Sequence, residues 1–250
     1  MGDRMSVDES VSAEEHSESP SVGQRIDKAV NGHLRLWSMM VLTMVTGMLD
    51  AVGYLGLDRI FTGNMTGNIV ILGMGVAGED GLPIVGPLVA LFAFVLGAAL
   101  AGVTLRSAAP GWNIRVIAIF AVGTLALLAA GVTLLVVDVQ GNSPLGIAIA
   151  SVIAVDMGAQ ALAARFLAVK DMTTVVVTST ITSLAGESFV GQGPGRLFNR
   201  RLWAILVLFV GAVIGALLLR VDIAIPVLLG AALTAAVAAL GHWAWDRAAG

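Results

Sequence analysis

Two acids, Asp50 and Asp156, stand inside long apolar stretches of the chain, and each precedes a basic residue, Arg59 and Arg165, by nine positions. At 1.5 Å rise per helical residue that spacing sets each carboxyl about 13 Å from the arginine that would mark the end of its helix. If the stretches cross a bilayer, both acids lie near the middle of a hydrocarbon core roughly 30 Å thick. An ionised carboxylate at that depth costs a few kcal/mol, so an intramembrane acid is a candidate proton or cation group. The plainer account is a protonated or hydrogen-bonded acid that fixes helix packing.

The run Thr62-Gly63-Asn64-Met65-Thr66-Gly67-Asn68 is the most distinctive in the chain. Gly and Asn both resist a regular helix, Gly by about 1 kcal/mol and Asn by competing for nearby backbone groups. Irregular backbone is tolerated at membrane depth only where protein or a wet cavity satisfies it. The run is therefore expected to enter as a turn and to start a short helix at Ile69, whose N-terminal amides would face a polar cavity and attract an anion or carbonyl oxygen. Gly63 and Gly67 equally fit the small-x-x-x-small spacing of close helix packing. A second Met-Thr element, Asp171-Met172-Thr173-Thr174, precedes a run rich in Thr and Ser. Such hydroxyls can line a polar path, or bond back to their own helix and stay silent. Arg59 and Arg165 read as interface snorkels more readily than as solute clamps, and Gly211 with Gly215 as a packing face. No metalloprotease, phosphate-loop or nucleophile-elbow motif occurs. Neither an enzyme, a cofactor nor a metal site is expected.

The elements that must position these residues follow from composition. The chain has 250 residues, 57% of them apolar and 12% charged, with a mean hydropathy of +0.91. A soluble domain carries about 25% charge. Here 11 of the 31 charges fall in the first 35 residues, which leaves too few to build a water-facing surface or a basic stripe for nucleic acid. The absence of cysteine excludes disulfides and thiolate chemistry. Residues 1–30 carry seven acids and little apolar content, the composition of an unordered acidic tail. The bilayer is the solvent of the rest.

Windows long enough to cross at about 20 residues each are 36–57, 84–105, 115–137, 144–168, 202–219 and 223–245. Segments 62–77 and 172–186 are too short and too rich in Gly, Asn, Thr and Ser. With six crossings and both short segments returning to their own side, only Arg59 and Arg220 fall outside, whereas eight crossings split the basic residues eight to six. The positive-inside rule selects six, with both termini cytoplasmic. An all-α membrane protein of six spans and two re-entrant or half-helices is the expected fold.

The second half echoes the first. Asp50 to Arg59 matches Asp156 to Arg165, each followed by its Met-Thr element, and Gly97 to Arg106 matches Gly211 to Arg220. Repeat one would be 36–137 and repeat two 144–245. Three crossings per unit force the second copy to enter from the opposite side, giving an inverted 3+3 repeat, an architecture typical of transporters.

The stretch Thr46-Gly47-Met48-Leu49-Asp50-Ala51-Val52-Gly53-Tyr54-Leu55, followed by Phe61 to Asn68 and Leu72-Gly73, resembles the N-terminal signature of the YoaK family, bacterial multi-pass membrane proteins classed as a domain of unknown function. The resemblance covers about residues 36–245, is carried by motif in the first half and by pattern in the second, and does not include the acidic tail. It implies a bacterial inner-membrane location and supplies no substrate or catalytic residue. Its motif marks Asp50, Asn64, Thr66, Gly67 and Asn68.

The residues point to a small secondary transporter or channel-like permease for a small solute or ion. Asp50 and Asp156 would be its embedded groups, and Asn64, Thr66, Gly67 and Asn68 with Asp171 and Thr173 would form a central polar site supported by Gly63, Arg59 and Arg165. The alternative is a non-transporting scaffold or partner-binding subunit. A homodimer fits the small membrane domain. A hydrated cavity reaching both Asp50 and Asn64 would favour transport; side chains packed dry against helices would favour the scaffold.

Overall fold

The computed structural model describes residues 22–79, 81–109, 111–139, 143–167 and 200–249. Seven helices occupy them: α1 (Val22–Gly56), α2 (Met65–Val76), α3 (Val85–Leu105), α4 (Ile114–Val136), α5 (Pro144–Phe166), α6 (Arg200–Leu219) and α7 (Ala224–Ala249). No strand is present among the described residues. Six helices contain stretches long and apolar enough to cross a membrane: His33–Gly56, Val85–Leu105, Ile114–Val136, Pro144–Phe166, Leu202–Leu219 and Ala224–Trp243. They fall within a few residues of the six windows read from the sequence. Helix α2, with 12 residues, is about 18 Å long and too short to span. Helix α1 starts earlier than its apolar window. It takes in residues 22–30, where Gln24, Arg25, Lys28 and Ala29 are good helix formers, so the part of the chain that composition alone reads as tail is shorter than 1–30.

Local sequence fixes where the helices begin. The Asn113 side chain accepts from the Arg115 and Val116 amides and caps α4. Ser143 accepts from the Gly146 amide and is followed by Pro144 in the first turn of α5, where the missing N–H costs nothing. Asp222 Oδ1 takes the Ala224 amide at 2.7 Å as α7 starts.

Helix α1 packs along α6 and less extensively on α7, while α5 packs along α3 and less extensively on α4; α4 and α7 pair with each other. Glycines make the two longest contacts close. A Cβ at Gly47 would strike the Leu208 carbonyl of α6, and one at Gly211 the Met44 carbonyl of α1. On the other pair a Cβ at Gly158 would strike the Phe94 carbonyl of α3, and one at Gly97 the Val155 carbonyl of α5. Gly215 likewise sits against Met48, so the Gly211/Gly215 stripe is a packing face. Phe92, Val103, Val136 and Phe209 are left more than half exposed, on outer faces that suit lipid rather than water. Trp112 is buried against Phe120 and Gly241.

Candidate solute-binding site

Helix α1 ends at Gly56, and the chain turns back on itself through Asp58 and Arg59, both at positive φ (64° and 58°). The left-handed region is tolerated by Asp and uncommon for Arg. The turn is tied by Leu57 N and Ile60 N, which both donate to the Gly53 carbonyl at 3.2 Å. A Cβ at Gly53 would collide with the Ile60 carbonyl, so this reversal needs glycine there for close approach. Residues 60–64 then run back beside the last turns of α1. Tyr54 and Phe61 stack with ring centroids 4.9 Å apart.

This places the Thr62-Gly63-Asn64 backbone at Asp50. Asp50 Oδ1 accepts from the amides of Thr62 at 2.9 Å, Gly63 at 2.7 Å and Asn64 at 3.3 Å, and lies 3.4 Å from the Thr62 hydroxyl. A carboxylate that gathers several N–H donors is a strong, charge-assisted acceptor. Asn64 caps α2 through its own Oδ1, which accepts from Gly67 N at 3.2 Å. Asn68, 1% exposed, clamps the loop from the other side: its Oδ1 accepts from Phe61 N at 2.8 Å and its Nδ2 donates to Phe61 O at 2.7 Å. At the start of the short helix the Gly67 amide is held by the Asn64 side chain and the Met65 amide by the Gly63 carbonyl, and the amides of the preceding loop are held by Asp50. Gly63 and Gly67 pack closely, against Thr46 and the Phe61 ring. The run is a loop framework, and its Asn64 also lines a cavity.

That cavity, about 470 Å³, lies between α1 and α6 and is lined by Gly47, Asp50, Tyr54, Phe61, Asn64 and Phe209 among others. Tyr54 is 39% and Phe209 65% exposed, so it opens sideways past these two rings. Thr66 is exposed and Asn68 is buried behind the wall; neither lines the cavity. Arg59 is exposed and donates to the Gly81 carbonyl at 2.9 Å, and Arg165 is exposed in the last turn of α5. Asp171 and Thr173, with the whole segment 172–186, lie outside the described residues.

Asp156 does not join Asp50. It lines a second cavity, about 340 Å³, between α3, α4 and α5. One turn further along α5, Gln160 is 1% exposed and directs its Nε2 at the Thr46 hydroxyl (3.3 Å) and the Leu42 carbonyl (3.4 Å) of α1. Gln160 and Thr62 were missed as site residues. An amide four positions after an intramembrane acid is a signal that the sequence did carry. Thr62 acts mainly through its backbone, which no side-chain pattern reveals. Among the described residues no group of three His, Cys, Asp or Glu is placed to hold a metal ion.

Six apolar helices around buried glycine contacts, with largely apolar cavities that each touch one embedded acid, define a multi-pass α-helical membrane protein. The model of the family described as "Protein of unknown function (DUF1275)" matches residues 38–240, and the chain belongs to that family. It is 30% identical over 192 residues, 72% of this chain and 81% of the relative, to the UPF0700 transmembrane protein YoaK of Bacillus subtilis (strain 168). No solved structure matches.

Proposed function

We propose that the chain is a small secondary transporter or channel-like permease, not an enzyme, that moves a small solute or ion and couples to protons through its embedded acids. The observation that carries this reading is the cavity that touches Asp50 and Asn64 together. A dry scaffold has no need of a 470 Å³ space beside a loop whose backbone is irregular within an apolar sequence, where such backbone is tolerated if it lines a cavity. The cavity wall offers the free edge of the Asp50 carboxylate, the Asn64 amide and the aromatic faces of Tyr54 and Phe61, a set suited to a small polar or cationic solute.

In this reading residues 57–76 are re-entrant. The loop descends beside α1 to Asp50, α2 climbs back, and the hydrogen bond from Arg59 to Gly81 ties the two ends on one side. The helix pairing also supports an inverted repeat in which α1, α3 and α4 correspond to α5, α6 and α7. The contact of Gly47 with Leu208 recurs as that of Gly158 with Phe94, and the contact of Gly97 with Val155 recurs as that of Gly211 with Met44. That register keeps the match of Gly97 with Gly211 but pairs Gly47 with Gly158. Asp50 then corresponds to Ala161, and Asp156 to Val45, which faces Gly230 as Asp156 faces Gly123. The two acids are thus not copies of each other and hold different roles. The protein sits in the bacterial inner (plasma) membrane with both termini cytoplasmic, and homodimerises.

The test is a pH jump on proteoliposomes loaded with a pH-sensitive dye, with solute uptake followed in parallel, for wild type, Asp50→Asn and Asp156→Asn. Flux in wild type that falls sharply in Asp50→Asn is expected. Identical flux in both, or none for protons and every solute tried, would turn the reading toward a partner-binding scaffold.

A further inference from the structure

Asp156 is 5% exposed, and its Oδ2 is buried without a hydrogen-bond partner. It faces the cavity of about 340 Å³ between α3, α4 and α5, whose wall is apolar side chains such as Leu100, Ile119, Val122 and Val155. Among the described residues of the wall one carries a hydroxyl, Thr104, and it already donates to the Leu100 carbonyl at 2.8 Å. A Cβ at Gly123 would collide with Asp156 Oδ1, so α4 carries a glycine at the one place where the carboxyl needs room. Leu100 and Val122, more than half exposed, stand at the rim.

A buried carboxylate with an empty acceptor site wants a donor, preferably a cationic one. An inorganic cation needs several oxygen ligands, and this wall supplies a single carboxylate. A sugar or amino acid would bury polar groups with nothing to meet them. What fits is a compact apolar body bearing one N–H-donating positive charge, and the volume lies at the lower end of small-molecule pockets. We propose that this cavity binds a hydrophobic organic ammonium compound that arrives from the bilayer, its N–H donating to Asp156 and its hydrocarbon filling the space between α3 and α4. The proposal rests on reading Asp156 as a binding group, and does not require transport.

The probe is 1-aminoadamantane, with 1-adamantanol and adamantane-1-carboxylate as shape-matched controls. Binding to the full chain in lipid nanodiscs, without any gradient, is measured with the tritiated amine, and the melting midpoint is followed by the fluorescence of the five tryptophans. Wild type is expected to bind the amine and to melt later in its presence, and to respond to neither control. Asp156→Asn should bind about 30-fold more weakly or worse, the loss expected when one partner of a buried charge pair is removed. Val122→Trp, which fills the cavity and leaves the acid in place, should lose binding too. If one variant fails to fold, the other decides. Equal binding by Asp156→Asn, an equal response to the alcohol, or no amine binding by cooperatively melting wild type overturns the proposal. Amine binding without any flux refutes transport alone, and flux without amine binding refutes this site alone.

Discussion

Replacing Asp50 with alanine removes the acceptor around which residues 60–64 are folded. Hydrogen bonds to a charged group contribute about 1.5–3 kcal/mol each. The two short ones, from Thr62 N at 2.9 Å and Gly63 N at 2.7 Å, set the loss at about 3–6 kcal/mol, with less from the longer Asn64 contact. This falls on one loop, not on the helix bundle, because the contacts of α1 with α6 and α7 do not pass through the Asp50 carboxylate. The expected result is local opening: at tenfold per 1.4 kcal/mol, the loop amides should exchange hydrogen about 100-fold faster or more. Asp50→Asn keeps an oxygen acceptor and loses the charge assistance, worth about half the bond strength, so its effect should fall between alanine and wild type.

Hydrogen exchange by mass spectrometry on the chain in nanodiscs, with a peptide covering 60–68 and a peptide from α4 as internal reference, measures this directly. If Asp50→Ala exchanges across 60–68 as slowly as wild type, Asp50 is not the anchor of the loop and the hydrogen-bond account fails. If exchange rises equally in the α4 peptide, the loop is not a separable unit. The same measurement interprets the flux test, since an Asp50→Asn chain with a protected loop and no flux has lost chemistry and not architecture.

Three further outcomes are expected. Gly47→Ala and Gly158→Ala should each destabilise the fold by a similar amount, about 1–3 kcal/mol of overpacking, and so lower the melting midpoint, because each added Cβ meets a backbone carbonyl of the partner helix; Gly73→Ala, which has open space around it, should not, and unequal effects at Gly47 and Gly158 would count against the paired contacts. The chain has no cysteine, so Asp58→Cys and Glu79→Cys can be labelled individually with a membrane-impermeant maleimide in intact cells. Both should react from the same side, and labelling from opposite sides would show that α2 crosses. Asp156→Leu should melt no earlier than wild type, since an apolar side chain of similar size removes an unpartnered buried oxygen, whereas Gly123→Ala should melt earlier; a large destabilisation by Asp156→Leu would mean that the acid holds the helices together.

The six spans were legible because lipid imposes a one-dimensional rule: a stretch such as 84–105 or 202–219 must be apolar all round, and its ends are marked by Arg106, Arg200 and Arg201. The existence of the short helix was legible from the opposite signal, the Gly-Asn pairs that interrupt an apolar run, but not its start: it begins at Met65, capped by Asn64, and takes in Gly67 and Asn68 where the sequence suggests Ile69. What the sequence did not disclose is what its polar groups bond to. Asn68 reads as a solute ligand, yet its amide is closed by both polar groups of Phe61, a pairing set by a chain reversal seven residues long. Nor does the sequence disclose that Trp112 fills the space left by Gly241 on α7, a contact between residues far apart in the chain.

The two acids show why spacing alone could not rank the site. Asp50 and Asp156 each stand nine residues before an arginine in apolar sequence, and every argument from depth and desolvation treats them alike. Their difference is made after Gly56. There the chain reverses through two residues at positive φ, neither of them glycine, and delivers three amides to Asp50. Among the described residues no comparable donor reaches Asp156, whose carboxyl packs where Gly123 of α4 has no side chain. Depth in the membrane makes a carboxyl costly, but the supply of donors decides whether it is an anchor or a vacancy for a ligand. The group already satisfied by its own loop is the one whose variants should disturb structure. The one left unsatisfied is where a donor from outside should be sought.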